Sequence, residues 1–215
     1  MNLNAKTVLI TGASGGLGVA VSQCFAESGA NAIGVSRNSP GTIQADLSSL
    51  AAAQALVDQV HARHDSIDVL VHLVGGFAGG KAVQETDDAT LDRMFEINFR
   101  SAFHIIRAVL PAMRSRKSGC ILAIASRAAI DPQPGIGAYA ASKAALVSLL
   151  RTVALENKDA GISANVILPA TIDTPANRAS MPSADFTKWV SPADVGALLV
   201  RLAANPSVSG DVISI

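Results

Sequence analysis

Cysteine is scarce: Cys24 and Cys120 are the only two in 215 residues. No disulfide framework is possible at that count, and neither thiol has a Cys or His neighbour at metal-ligand spacing, so no metal site is expected and a reduced, cytoplasmic setting is. Aromatic residues make up 4% of the chain, with a single tyrosine, Tyr139, and a single tryptophan, Trp189. That poverty excludes the interleaved basic and aromatic surface of a nucleic-acid binder. Charge bias is also missing, since 17 Lys+Arg balance 17 Asp+Glu. An anionic membrane or nucleic acid is therefore not an expected partner. No apolar run approaches the about 18 residues that span a bilayer, and the first ten residues read as the approach to a strand rather than a targeting signal. A small-molecule partner remains.

What is present is apolar: 49% of residues are hydrophobic, enough at this length to bury one large core. Residues 1–215 are expected to form a single domain. Apolar strand patterns near 6–11, 31–36, 42–45, 67–74, 119–125, 162–168 and 211–215 alternate with helical patterns near 16–28, 48–64, 88–115, 137–159 and 192–204. This is the βαβ signature of an α/β fold, a doubly wound parallel sheet of about seven strands with helices on both faces. Runs such as IDVLVHLV show little alternation, as strands covered on both faces do. The least regular stretches, 75–87, 126–136 and 169–191, each follow a strand. In open parallel sheets the ligand crevice lies at those carboxyl ends, and a short substrate loop is expected near 175–191.

VLITGASGGLG, from Val8 to Gly18, sets a strand directly against glycines. Gly12 ends the strand and Gly16 and Gly18 open a helix, so a phosphate can approach the backbone and a helix N-terminus. Ser14 and Leu17 in the same turn count among the expected contacts of a dinucleotide. The spacing is G-x-x-x-G-x-G, and no G-K-[S/T] of a nucleoside-triphosphate loop follows. The alternative is a tight glycine turn with no ligand. At the end of the second strand, where an acidic residue would bind a ribose 2′-hydroxyl, the chain has Ser36 and Arg37. A hydroxyl and a guanidinium suit a 2′-phosphate, which predicts NADP(H) over NAD(H), unless Arg37 is only a solvated loop charge.

In SRAAIDPQPGIGAYAASKAAL, Tyr139 and Lys143 stand at i and i+4 and share one helix face, while Ser126 ends the preceding strand. These three residues, in this order behind the glycine stretch, resemble the short-chain dehydrogenase/reductase family over essentially the full length of the chain. The resemblance implies a Rossmann-type fold and an enzyme that transfers hydride between a nicotinamide and a small carbonyl or alcohol. A phenol with pKa near ~10 needs a nearby cation to act at neutral pH, and Lys143 with an oxidised nicotinamide supplies one. Tyr139 then protonates the substrate oxygen, or deprotonates it in reverse, and Ser126 holds that oxygen.

The same resemblance assigns Asn98 to a proton relay, Asp46 and Leu47 to the adenine, Gly75 to the cofactor floor, and Pro169, Thr171 and Thr174 to the nicotinamide carboxamide and phosphates. Tyr139 and Lys143 also touch cofactor in that family. Asp46 alternatively caps the helix starting near Ser48. The chain departs from the family at Pro169-Ala170, usually Pro-Gly, and at His72 to Gly75, usually Asn-Asn-Ala-Gly; His72 reads as a hydrogen-bonded core residue. GGFAGG (75–80) and the 168–189 stretch are similar to quinonoid dihydropteridine reductases, which makes pterin reduction the alternative and offers Phe77 and Trp189 either as substrate surfaces or as loop anchors packed on the core. Ser126, and Ser36 in place of an acidic residue, point away from that branch. A nucleotide-binding protein without turnover is the reading from another class. Family members pair their long helices across two-folds, which implies a homodimer or homotetramer.

Overall fold

The computed structural model describes residues 2–215. Seven parallel strands form one sheet in the order β3-β2-β1-β4-β5-β6-β7. They are β1 (Thr7–Thr11), β2 (Asn31–Ser36), β3 (Ile43–Gln44), β4 (Val69–His72), β5 (Gly119–Ile124), β6 (Ile162–Leu168) and β7 (Val212–Ser214). The helices are α1 (Gly16–Glu27), α2 (Leu50–His61), α3 (Asp88–Phe95), α4 (Ser101–Arg116), α5 (Gly137–Glu156), α6 (Pro175–Ser180) and α7 (Pro192–Ala204). The winding direction reverses between β1 and β4, and a crevice opens there because the chain leaves the two strand ends toward opposite faces.

Alternate residues of each strand feed different cores. Val8, Ile10, Val69, Val71 and Leu122 pack with Val21, Phe25 and Leu199 of α1 and α7. Leu9, Leu70 and Ile121 pack instead with Leu56, Ile105 and Leu150 of α2, α4 and α5. Both faces are covered, which is why these strands read as unbroken apolar runs. Helix α5 is long and apolar enough by composition to cross a membrane. Its apolar side is spent on the sheet, where Leu146, Leu150 and Val153 are buried.

The structure corrects two readings of the chain. The helix expected over 88–115 is interrupted by a π-helical turn, Glu96–Arg100, in which the Ser101 N–H donates to the Glu96 carbonyl five residues back. One residue too many for the α repeat sits in that turn, a device frequent at functional sites. The stretch 169–191, read as irregular, contains α6, six residues long with Pro175 in its first turn and the Thr174 hydroxyl capping the Asn177 N–H. A helix that short has too few residues to show a period.

Candidate active site

Gly12 leaves β1 with φ of +78°, and a Cβ there would lie 3.0 Å from the Val74 amide on the strand end opposite. A Cβ at Gly18 would run into the Gly12 carbonyl, so α1 can lie this close to the strand only with glycine there. The N-terminus of α1 has Gly15 at its cap and no side chain bonded to its free N–H groups. The cap residue Gly15 borders a cleft of about 760 Å³ whose walls also include Gly12, Ser14, Arg37, Asp46, Gly75 and Phe77. The residues fit a dinucleotide: uncapped amides for phosphate, and glycines where a side chain would fill the cradle. Thr174 belongs to the same place, since a Cβ on Gly16 would meet it at 3.0 Å.

Beyond the cleft's glycine end the catalytic candidates converge. Ser126 lies two residues past the end of β5 and its Oγ accepts from the Ala128 N–H at 3.2 Å. Burial raises the pKa of the Tyr139 phenol above the ordinary value, against a smaller downward pull from the Ser126 side chain. One helical turn on, Lys143 is buried and its Nζ donates to the Ile124 carbonyl at 3.0 Å. Burial lowers that ammonium's pKa to about 8. The expected depression of the phenol by Lys143 is not the operating effect in this state, because the ammonium is turned onto Ile124 and burial dominates Tyr139.

Asn98 lies in the π-helical turn and is fully buried. Its Oδ1 accepts from the Gly76 N–H at 2.9 Å, and its Nδ2 donates to the Gly76 carbonyl and to Ser142 Oγ, each at 3.0 Å. Ser142 in turn donates to the Tyr139 carbonyl at 2.7 Å. A Cβ on Gly75 would lie 3.0 Å from both Asn98 Oδ1 and Lys143 Nζ, so the two side chains bracket that glycine. The Phe77 ring meets the Tyr139 ring edge-on, centroids 5.0 Å apart, and joins the cleft wall to the phenol.

With this geometry in view, comparison with known proteins settles the family. Residues 6–184 match the sequence model of the short chain dehydrogenase family. The chain belongs to the short-chain dehydrogenases/reductases. It is 32% identical to a short chain dehydrogenase of Pseudocercospora fijiensis, over 80% of this chain and 61% of that protein, so it spans less than two thirds of that relative's length. Identity is also 32% to the oxidoreductase UcpA of Salmonella typhimurium, over 98% of this chain and 86% of that one. In fold it superimposes on ElxO with NADP bound at a TM-score of 0.92 with 22% identity, covering 98% of this chain and 97% of the other. The 3-ketoacyl-(acyl-carrier-protein) reductase of Brucella melitensis, complexed with NADH, gives 0.91 with 24% identity over 99% and 97%. Family membership makes this chain an oxidoreductase of the nicotinamide class.

Several expected cofactor contacts of this short-chain dehydrogenase look different once placed. Ser36 is buried and its hydroxyl is committed: Thr42 Oγ1 donates to the Ser39 carbonyl, so Ser36 must donate to Thr42 at 2.7 Å while accepting the Ser39 N–H at 3.0 Å. No donor remains on Ser36 for a phosphate, and Arg37, exposed on the rim, is the one candidate of that pair with donors to offer. Asp46 does not cap α2. Its Oδ1 accepts from the Ser48 N–H at 3.1 Å, and the cap is Ser49, which accepts from the Ala52 N–H. Leu47 is buried in the core beside the cleft.

Pro169 is buried with its carbonyl accepting the Arg127 N–H at 3.3 Å, and the Thr171 carbonyl accepts the Val190 N–H at 2.8 Å. Trp189 is not brought to the phenol. It packs against Phe186, ring centroids 4.7 Å apart and planes inclined by 59°, and the Arg178 guanidinium covers Phe186 at 4.6 Å, so these rings anchor the loop to itself. Ser142 escaped the sequence reading although it lies three residues from Tyr139. Its signal, a small polar residue on the buried face of an apolar helix, is shared by many packing serines.

Proposed function

We propose that this chain is an NADP(H)-dependent reductase of a small carbonyl compound, or the matching alcohol dehydrogenase, in which Tyr139 supplies the proton, Ser126 holds the substrate oxygen and Lys143 supplies the local positive charge. The carrying observation is the Tyr139 phenol under the electrostatic pull of the Ser126 side chain, one helical turn from a buried Lys143 whose ammonium brackets the cleft's Gly75. The nicotinamide supplies the hydride when bound. Gly12, Ser14, Gly16 and Gly18 would take its phosphates, with Asp46 and Leu47 beside the adenine and Thr171 and Thr174 toward the carboxamide. Asn98, through Gly76 and Ser142, holds the backbone on either side of the phenol and ammonium.

The cofactor preference rests on Arg37, which is exposed on the cleft wall just after β2 and makes no ion pair among the described residues, leaving its donors free for a 2′-phosphate. In an assay of cofactor oxidation over a panel of ketones and aldehydes, NADPH supports turnover better than NADH. Arg37→Ala raises the Kd for NADPH about tenfold and leaves that for NADH within about twofold, the loss of one charge-assisted contact. Equal shifts for both cofactors remove the preference, and no carbonyl turnover removes the reductase. Quinonoid dihydropterin belongs in the same panel, because Phe77 presents a 63% exposed ring beside the phenol.

We also propose a homodimer or homotetramer. An apolar groove of about 560 Å³ runs along α4 and α5 between Phe103, Leu110, Leu149 and Val153. Light scattering should give a mass of two or four chains of 22.0 kDa, and a monomer mass overturns the assembly.

A further inference from the structure

We propose that His72 is a positioning residue for this reaction: its Nε2–H, donated to Ser101, holds the π-helical turn that presents Asn98 to Gly76 and sets it beside Lys143. The inference rests on the Ser126–Tyr139–Lys143 reading for its catalytic consequence and on hydrogen bonds alone for its structural one.

His72 ends β4 and is completely buried. Its Nδ1 lies 2.9 Å from Thr11 Oγ1 and its Nε2 lies 3.3 Å from Ser101 Oγ. The proton positions follow from the neighbours. Ser101 Oγ donates its single proton to the Ile97 carbonyl at 2.7 Å, so toward Nε2 it can only accept. Nε2 therefore carries the hydrogen and bare Nδ1 accepts from the Thr11 hydroxyl. The ring is neutral throughout the working pH range, because burial, with the Lys143 charge adding to it, lowers its pKa to about 3.

The bond to Ser101 acts on the turn itself. In a regular helix the Ser101 N–H would donate to Ile97, four residues back. Here it donates to Glu96, and the Ser101 hydroxyl takes the carbonyl of Ile97 instead. That substitution satisfies an acceptor the π register would otherwise deprive of its partner. By occupying a lone pair of Oγ, His72 directs the hydroxyl's proton to Ile97, the residue next to Asn98. Through Thr11 the same ring ties the turn to the end of β1, next to Gly12.

Two substitutions separate the ring's two contacts. A glutamine amide ends where Nε2 lies and an asparagine amide where Nδ1 lies. His72→Gln keeps the Ser101 bond, whereas His72→Asn keeps only the Thr11 bond. Hydrogen exchange at the Gly76 amide, which is bonded to Asn98, reads the turn without any substrate. In His72→Asn that exchange quickens about tenfold with the β5 and β6 amides unchanged, and kcat for NADPH-dependent carbonyl reduction falls about tenfold with the cofactor KM within about twofold. In His72→Gln both stay within about twofold of the parent. Parent-like Gly76 exchange and kcat in His72→Asn overturn the proposal. So does equal quickening of all amides with kcat per folded enzyme unchanged, which is a packing role alone. A parent protein that turns over no carbonyl defeats the Ser126–Tyr139–Lys143 reading, and Gly76 exchange still decides His72.

Discussion

Tyr139→Phe lowers kcat for carbonyl reduction by about 10³-fold and leaves NADPH binding within about twofold. The variant removes one oxygen and keeps the ring against Phe77, so packing is preserved while the proton donor is lost. Burial already holds this phenol above its ordinary pKa, so it stays protonated at neutral pH, the form a reduction requires. Ser126 cannot replace it. A hydroxyl with no base behind it would give up its proton to become an alkoxide, a far worse leaving form than a phenolate beside an ammonium. Steady-state kinetics with cofactor binding by fluorescence checks the result, and a Phe variant that retains more than about a tenth of the parent rate means that the proton comes from elsewhere.

Lys143→Met abolishes measurable reduction and, at pH 7, makes the protein more stable. The ammonium is 5% exposed, and no acidic side chain pairs with it among the described residues. Its pKa falls from 10.5 to about 8 on burial. The unfolded chain therefore holds this proton more tightly than the folded one. Below about pH 8 both states are protonated and the penalty is complete, on the order of 3 kcal/mol. As pH rises from about 8 to 10.5 the folded state sheds its proton first and stability recovers. Methionine removes the penalty but leaves the Ile124 carbonyl without its donor, which costs about 1–2 kcal/mol of the gain. The net is about 1–2 kcal/mol, roughly 3–6 °C in Tm for a chain of this size. Calorimetry of both proteins at pH 7 and 9.5 shows the difference shrinking at the higher pH. A parent more stable than the Met variant at pH 7 would show that a partner neutralises the charge. The same titration predicts that parental activity declines as pH passes about 8, where Lys143 loses the charge that supports the phenolate.

Such a trade of stability for function is expected where a reaction needs a cation in a dry place. The sheet supplies the dry place: Lys143 rises from α5 beside the end of β5, between a fully buried strand and the glycines of the cleft.

Local chemistry was readable directly from the chain. The unbroken apolar runs of β1, β4, β5 and β6, the turn of Gly12 to Gly18, and the shared helix face of Tyr139 and Lys143 are all set by adjacency or by the helical repeat, and each was found where expected. What only the tertiary structure decided is where single protons go. Whether Ser36 has a donor to offer depends on Thr42, how Lys143 points depends on the Ile124 carbonyl, and whether Trp189 faces substrate or its own loop depends on Phe186 and Arg178. The tautomer of His72 depends on Thr11 and Ser101, 61 and 29 residues away along the chain. Backbone period follows from neighbours a few bonds apart, whereas a hydroxyl or imidazole takes its orientation from whichever donors and acceptors close packing sets within about 3 Å of it.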